Sequence, residues 1–133
     1  MFLVDTNVVS ELTRRNPNRG ALSWFAAHPT FSVSAVTIEE LVFGIGRAPT
    51  ARCQQLTEWL EELRGLVSAV IPFDEATARL SGELRAAGAR AGRQVAQADA
   101  LIAATALLSS AVLVTRNVAD FDRCGVTMVN PFR

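Results

Sequence analysis

Three acidic residues stand where a carboxylate could do chemistry. Asp5 directly follows a short apolar run, Glu40 lies six residues beyond a second apolar run, and Asp99 is the one charged residue in a long apolar stretch. Carboxylates that meet in one pocket repel each other unless a cation neutralises them. If the fold brings these three together, the sequence predicts a cation site.

Further polar side chains accumulate after two of the apolar runs. Asp5 is followed by Thr6 and Asn7, and a later run is followed by the segment 115–117 and then by Asp120. A helix cap needs only one such side chain. The clusters therefore favour a binding site at the ends of these runs.

Each carboxylate also has a purely structural interpretation. Asp5 and Asp99 are placed to cap or stabilise the start of a following helix. Thr37 and Glu40 have the spacing of a capping box. Glu40 borders the predicted apolar side of its helix, whereas Glu39, about 100° away around the helix, should face water. Sequence alone leaves both interpretations open.

Composition restricts the chemistry that is available. All 13 basic residues are Arg, so a P-loop lysine and a Schiff-base lysine are excluded. A single histidine, His28, excludes metal sites built from several imidazoles, and Cys53 and Cys124 cannot form a zinc cluster alone. An all-oxygen ligand set favours Mg²⁺, or Mn²⁺ in its place, and such ions usually serve phosphate chemistry.

The site residues need a scaffold, and the hydrophobic pattern supplies one. Short apolar runs alternate with helical periods, which is typical of a parallel sheet covered by helices on both faces. We predict one α/β domain over residues 1–133 with about five strands. The expected strands lie at 2–4, 31–34, 69–71, 112–114 and 127–129. In the strand order 3-2-1-4-5, Asp5 and the segment 115–117 converge on one crevice.

The intervening segments carry helical patterns. Leu56, Trp59, Leu60 and Leu63 form one apolar stripe. Asp74 is a good N-cap for the helix that follows it, and the Gly88–Gly92 segment is predicted to be a loop. The other expected helices cover 8–13, 21–27, 37–45 and 98–108.

Two observations bear on location. The apolar segment 98–114 contains Asp99 and is short for a membrane span, so we interpret it as a buried helix and a strand. The first five residues lack a basic leader, and the two cysteines lie far apart. We expect a cytoplasmic protein that does not enter a membrane.

Together these residues resemble the PIN-domain nucleases, and most of all the VapC-type toxins of bacterial toxin–antitoxin pairs with their FitB-like branch. The similarity extends over nearly the whole chain. It rests on the segments 3–7, 34–41 with Gly44, 99–104, 114–117 through 120–121, and 129–131.

This resemblance implies a PIN-like three-layer fold and a Mg²⁺-dependent endoribonuclease. Asp5, Glu40 and Asp99 occupy the family's acidic positions. It also implies RNA as the substrate, inhibition by a small cognate antitoxin protein, and a homodimer that can form a larger hetero-oligomer with the antitoxin. Many relatives carry Asp where Asn117 stands, so the fourth ligand position falls to Asn117 or Asp120.

From these residues we derive a working hypothesis for the site. Asp5 and Asp99 bind the metal, and Glu40 completes the site and orients or deprotonates the attacking water. The side chains that would hold these carboxylates in place are Thr6, Asn7, Thr115 and Asn117. Phosphate contacts are expected from arginines, because a guanidinium pairs bidentately with phosphate. The candidates are Arg116, Arg85, Arg90 and Arg93.

Two other hypotheses remain open on the sequence. One is a catalytically weak PIN-like module that binds RNA or a protein partner. The other is a different Mg²⁺ phosphate enzyme, such as a phosphatase or a structure-specific DNA nuclease. The phosphatase variant is disfavoured, because Asn7 stands where an Asp-x-Asp motif needs its second Asp and the chain has no Lys.

Overall fold

A computed structural model describes all residues, 1–133, as five short strands that alternate with seven helices. The strands are β1 (Phe2–Val4), β2 (Val33–Ser34), β3 (Val70–Ile71), β4 (Val112–Val114) and β5 (Met128–Val129). The helices are α1 (Thr6–Glu11), α2 (Arg19–Ala27), α3 (Ala35–Gly46), α4 (Thr50–Leu66), α5 (Glu75–Arg90), α6 (Gln97–Leu108) and α7 (Val118–Phe121).

All strand pairs are parallel. Strand β4 lies between β1 and β5, and β2 pairs with β3. A single bridge between Leu3 and Ser32 joins the two groups, and the Val4 amide donates to the Ser32 carbonyl oxygen at 2.9 Å. Across this bridge the order is β3-β2-β1-β4-β5, as the sequence predicts. The ends of β1 and β4 are therefore neighbours.

The central strands β1 and β4 are buried on both faces, which explains why they are uniformly apolar. Successive side chains of a strand point to opposite faces. Leu3 and Leu113 pack into one core cluster with α6 residues, whereas Val4 and Val114 pack into a second cluster with Trp24. This arrangement has three layers and confirms the predicted fold class.

Helix α3 begins earlier than the sequence indicates, and its predicted capping box is wrong. Ser34 is the N-cap, and its side chain accepts a hydrogen bond from the Val36 amide. Thr37 is therefore inside the helix and fully buried. Because β2 runs directly into α3, the chain has no room for a separate cap at Thr37. Glu40 is half-buried and Glu39 is exposed, as expected.

Helix α5 is longer than predicted, so the expected loop at Gly88–Gly92 is wrong. The helix continues to Arg90, and Gly92 then adopts a φ of +77°. The Arg93 amide donates to the Gly88 carbonyl oxygen at 2.8 Å, which is the long hydrogen bond of a Schellman C-cap. A Cβ on Gly88 would lie 2.7 Å from Val95 Cγ2, so this glycine permits close packing rather than a turn.

The remaining differences concern helix faces and strand ends. The apolar stripe on α4 is confirmed, because Leu63 is buried and Trp59 and Leu60 pack against the core. Val42 and Phe43 of α3 are exposed. The predicted strand at 31–34 shortens to its last two residues. No helix has both the length and the apolar character that a membrane crossing needs.

Candidate metal centre

Asp5 lies at the carboxyl end of β1 and is only 4% exposed. One of its oxygens, Oδ1, accepts a hydrogen bond from the Thr6 amide at 2.8 Å. The other, Oδ2, accepts from the Thr115 hydroxyl at 2.8 Å and from Asn7 Nδ2 at 3.1 Å. Asp5 is also the N-cap of α1, so the capping interpretation holds together with the site interpretation.

The surroundings of Asp5 oppose its charge. Burial raises the pKa of Asp5, and the negative charge of Glu40 adds to this effect. The hydrogen bonds from Thr115, Thr6 and Asn7 lower the pKa and so stabilise the carboxylate in part. A buried carboxylate held ready by three donors is a suitable partner for a cation.

Glu40 approaches the end of β1 from α3. The Thr6 hydroxyl donates a 2.7 Å hydrogen bond to Glu40 Oε1, and the same hydroxyl lies 3.1 Å from Thr37 Oγ1. The side chain of Glu40 is thus anchored to the residue after Asp5. This contact replaces the capping box expected from the sequence.

Asp99 lies in the first turn of α6, whereas Glu40 belongs to α3. Its helix starts after Ala96 and has no side-chain cap, so capping does not explain Asp99. The pKa of Asp99 is raised to about 6, first by burial and then by the charges of Asp5, Asp120 and Glu40. The negative charges of Asp5, Asp120 and Glu40 therefore all act on Asp99.

Asp120 and Asn117 differ in their placement. Asp120, in the first turn of α7, lines a polar cavity of about 380 Å³ together with Asp99. Asn117 is exposed, and its backbone amide donates to the Thr115 hydroxyl at 3.0 Å. Of the two residues considered for the fourth position, Asp120 has the side chain beside Asp99.

The donor set suits a hard divalent cation, although it does not form a closed cage. No three His, Cys, Asp or Glu side chains lie close enough together to hold an ion by themselves. Glu40 lines a separate cavity of about 300 Å³ on the other side of the site. Mg²⁺ usually keeps several waters and is bound through one or two carboxylates, so an open arrangement of oxygen donors fits it.

Comparison with known proteins identifies the family. The family model described as the PIN domain matches residues 2–126 of this chain. The chain belongs to the PIN-domain family.

Relatives of this PIN-domain chain include named ribonucleases and toxins. VapC ribonuclease Y4jK of Sinorhizobium fredii is 34% identical over 137 positions, which cover 99% of this chain and 98% of that protein. Toxin FitB of Neisseria gonorrhoeae is 34% identical over 137 positions, which cover 99% of each. The crystal structure of FitAcB from Neisseria gonorrhoeae superposes with a TM-score of 0.89 at 33% identity and covers 98% of each chain.

The predicted phosphate-binding arginines are not equivalent in this PIN-domain chain. Arg93 lines the cavity that contains Asp99 and Asp120. The guanidinium of Arg116 lies 4.8 Å from the ring centre of Phe132. The backbone amide of Arg116 donates a hydrogen bond to Asn7 Oδ1 at 3.3 Å. Arg85 and Arg90 are exposed on α5 and do not line that cavity. Of these four arginines, Arg93 alone lines that cavity.

The PIN fold also brings in residues that the sequence analysis did not select. Thr37, considered only as a cap, meets the Thr6 hydroxyl that binds Glu40. Gln94 lines the Asp99 cavity beside Arg93. Thr37 could have been identified from the sequence, because it is a polar residue on the buried face of a helix. No pattern in the sequence marks Gln94.

Proposed function

We propose that this chain is a metal-dependent endoribonuclease that acts as the toxin of a toxin–antitoxin pair. It hydrolyses RNA phosphodiester bonds at the site around Asp5, Glu40 and Asp99. The observation that carries the proposal is the placement of Asp5 at the end of β1, where it is buried and held by Thr115 and Asn7, with Glu40 bound to the adjacent Thr6. Burial, and then the charges of Asp5, Asp120 and Glu40, raise the pKa of Asp99 to about 6. Such crowding of carboxylates is costly unless a cation relieves it.

Mg²⁺ is the cation that we assign to the site, with Mn²⁺ as a possible substitute. Asp5 and Asp99 would hold it, and Glu40 would complete the site. For the fourth ligand position we favour Asp120 over Asn117. When bound, the ion activates a water and stabilises the leaving oxygen of the phosphodiester. The hydrogen bonds from Thr115 and Asn7 support this role, because they fix Asp5 before any ligand arrives.

The protein side chains have distinct tasks in the proposed reaction. Thr6 holds Glu40 Oε1, which leaves the other carboxylate oxygen to orient or deprotonate the attacking water. Arg93 meets the phosphate from the wall of the Asp99 cavity. Arg116 lies on the rim of the site, and Arg85 and Arg90 contribute only to long-range attraction of the RNA backbone.

The partners follow from the similarity to relatives named as a ribonuclease and a toxin. We infer a cognate antitoxin protein that blocks the site, a homodimer, and a larger hetero-oligomer of the two proteins. These assignments rest on resemblance over nearly the full chain rather than on any surface feature.

Cleavage of total cellular RNA and tRNA tests the proposal. The parent protein should cleave at least one RNA in Mg²⁺ and lose this activity in EDTA. Asp5→Asn and Asp99→Asn should abolish cleavage while circular dichroism shows an intact fold. Glu40→Gln should lower activity strongly, whereas Glu39→Gln, the neighbouring exposed residue on α3, should leave it unchanged.

Three results would contradict the proposal. Equal activity of Asp99→Asn and the parent would exclude a role for the carboxylate cluster. RNA binding without cleavage, retained in Asp99→Asn, would instead support the alternative of a PIN-like binding module. If Mg²⁺ has no effect on thermal stability, the proposed metal site does not exist.

A further inference from the structure

An apolar cavity of about 220 Å³ lies beside the polar cavity that contains Asp99 and Asp120. The two cavities share Arg93 and Val95 as a common wall. A ligand in the polar cavity would therefore lie against residues that also line the apolar one. The function proposed above does not use this second cavity.

The lining of this cavity combines an apolar floor with positive charge. Leu84 and Ala87 of α5 and the buried Cys124 supply the floor, and Arg93 and Arg123 supply two guanidinium groups. Burial raises the pKa of the Cys124 thiol, whereas the charge of Arg93 lowers it and the charge of Asp99 raises it. The lining contains no acidic side chain. This composition favours a weakly polar group attached to an anion.

The shared wall is held in place by the end of α5. Gly92 adopts the left-handed conformation, and the Arg93 amide is bound to the Gly88 carbonyl oxygen. Gly88 also allows Val95 to pack directly against the helix, because any Cβ there would clash. The Arg93 backbone is thus fixed before a ligand binds, and the cavity is preformed.

We propose that this cavity binds the base of a nucleotide next to the scissile phosphate, while Arg93 binds the phosphate between the two cavities. The proposal rests on the function proposed above and assigns it a specificity site. Unpaired bases of RNA are commonly held against apolar or guanidinium surfaces, and guanidinium pairs bidentately with phosphate. A nucleotide therefore matches both parts of the lining at once.

Filling the cavity provides the test. Ala87 is exposed on α5 and lines the cavity, so Ala87→Leu should reduce its volume without disturbing the helix. Ala86→Leu is the matched control, because Ala86 is the exposed neighbour on the same helix and does not line the cavity. Both are made in the Asp99→Asn background, so that RNA stays intact and binding is measured by fluorescence anisotropy.

The probes are single-stranded eight-nucleotide RNAs, either complete or with one abasic residue at each position in turn. Complete RNA should bind at least about tenfold more weakly to Ala87→Leu than to Ala86→Leu. One abasic position should weaken binding to the Ala86→Leu protein and cause no further loss in Ala87→Leu. Such non-additivity is the signature of a base that occupies this cavity.

Three results would overturn the base-binding role. The first is equal binding of all abasic RNAs, and the second is equal affinity of the two Leu variants for complete RNA. The third is a change of oligomeric state in Ala87→Leu, which would assign the cavity to an interface between copies of the chain. These measurements do not depend on cleavage. If the parent protein cleaves no RNA but the abasic RNAs and Ala87→Leu still have non-additive effects on binding, only the nuclease proposal is overturned.

Discussion

The Thr115 hydroxyl donates a 2.8 Å hydrogen bond to Asp5 Oδ2 and so connects the end of β4 to the end of β1. Both residues are buried, and 109 intervening residues separate them in sequence. The same hydroxyl accepts from the Asn117 amide at 3.0 Å, which fixes its proton toward Asp5. The acidic site therefore depends on the pairing of these two strands.

Replacement of Thr115 by Val tests this connection. Val keeps the shape but removes the donor, so the pKa of Asp5 should rise further and a buried carboxylate should lose one partner. We expect a loss of about 1–2 kcal/mol in the free energy of unfolding at neutral pH, measured by urea denaturation. Thr115→Ser should recover most of the loss. Equal stability of the Val variant and the parent would contradict the role of this hydrogen bond.

The raised pKa of Asp99 predicts a pH-dependent stability. The pKa is about 6 in the folded protein and 3.8 in the reference state, so the folded form binds the proton more tightly. Stability should therefore fall as pH rises from about 4 to 6 in metal-free buffer. At pH 7.5, Asp99→Asn should be more stable by about 1 kcal/mol, because solvent screening reduces the full effect of the shift.

Thermal unfolding in EDTA measures this difference. A gain of roughly 4 °C in Tm at pH 7.5 should shrink toward zero at pH 4, where Asp99 is already protonated. Asp122→Asn removes the same formal charge from an exposed position and serves as the control. A gain for Asp99→Asn that is the same at both pH values would show that charge is not its cause.

The affinity for Mg²⁺ should depend on pH for the same reason. A metal ligand must lose its proton, and Asp99 loses its proton near pH 6. The apparent affinity should fall about tenfold between pH 7.5 and pH 5, as followed by calorimetry or by the Mg²⁺-induced rise in Tm. In Asp99→Asn both the affinity and its pH dependence should be reduced. Constant affinity across this range would exclude Asp99 as a ligand.

Several features of the fold and site could be predicted from local sequence. The apolar runs identify the strands because a sheet buried on both faces needs uniformly apolar strands. The strand order then brings Asp5 to Thr115. The prediction failed at Thr37 and Gly88, where tertiary packing determines the role of the residue. Thr37 lies inside a helix that starts directly after a strand, and Gly88 admits Val95 against α5.

The arginines show the limit of such reasoning most clearly. Composition identifies guanidinium groups as suitable for phosphate but does not distinguish one position from another. Arg93 reaches the Asp99 cavity only because a C-cap at Gly92 reverses the chain, and this segment was predicted as an irregular loop. Arg85 and Arg90 both lie on the exposed surface of α5, although Arg90 belongs to the segment predicted as a loop.

The hydrogen bond between Thr6 and Glu40 predicts a specific loss of activity. Thr6→Val removes the donor to Oε1, so Glu40 should lose its fixed orientation. We expect cleavage of a fixed RNA substrate to fall about tenfold in kcat, with a smaller change in KM. Thr6→Ser restores the hydroxyl and should restore most of the rate. If Ser and Val reduce kcat equally, packing at Thr6 rather than the hydrogen bond is responsible.

The C-terminal segment packs on the start of α2. A Cβ on Gly20 would lie 2.2 Å from the Pro131 carbonyl oxygen and 2.7 Å from Arg133 Cγ, so Gly20→Ala must displace this segment. The displacement would also disturb the hydrogen bonds between Asn18 and Arg133. We expect a loss of about 1–3 kcal/mol in the free energy of unfolding.

Gly82→Ala in α5 is the matched control for this substitution. No atom lies within 4 Å of a Cβ built on Gly82, and alanine is favoured over glycine inside a helix by about 1 kcal/mol. The two variants should therefore shift the urea midpoint in opposite directions, down for Gly20→Ala and up for Gly82→Ala. A stabilising effect at Gly20 would mean that the C-terminal segment does not pack on α2 in solution, because only that contact turns the helical advantage of alanine into a loss.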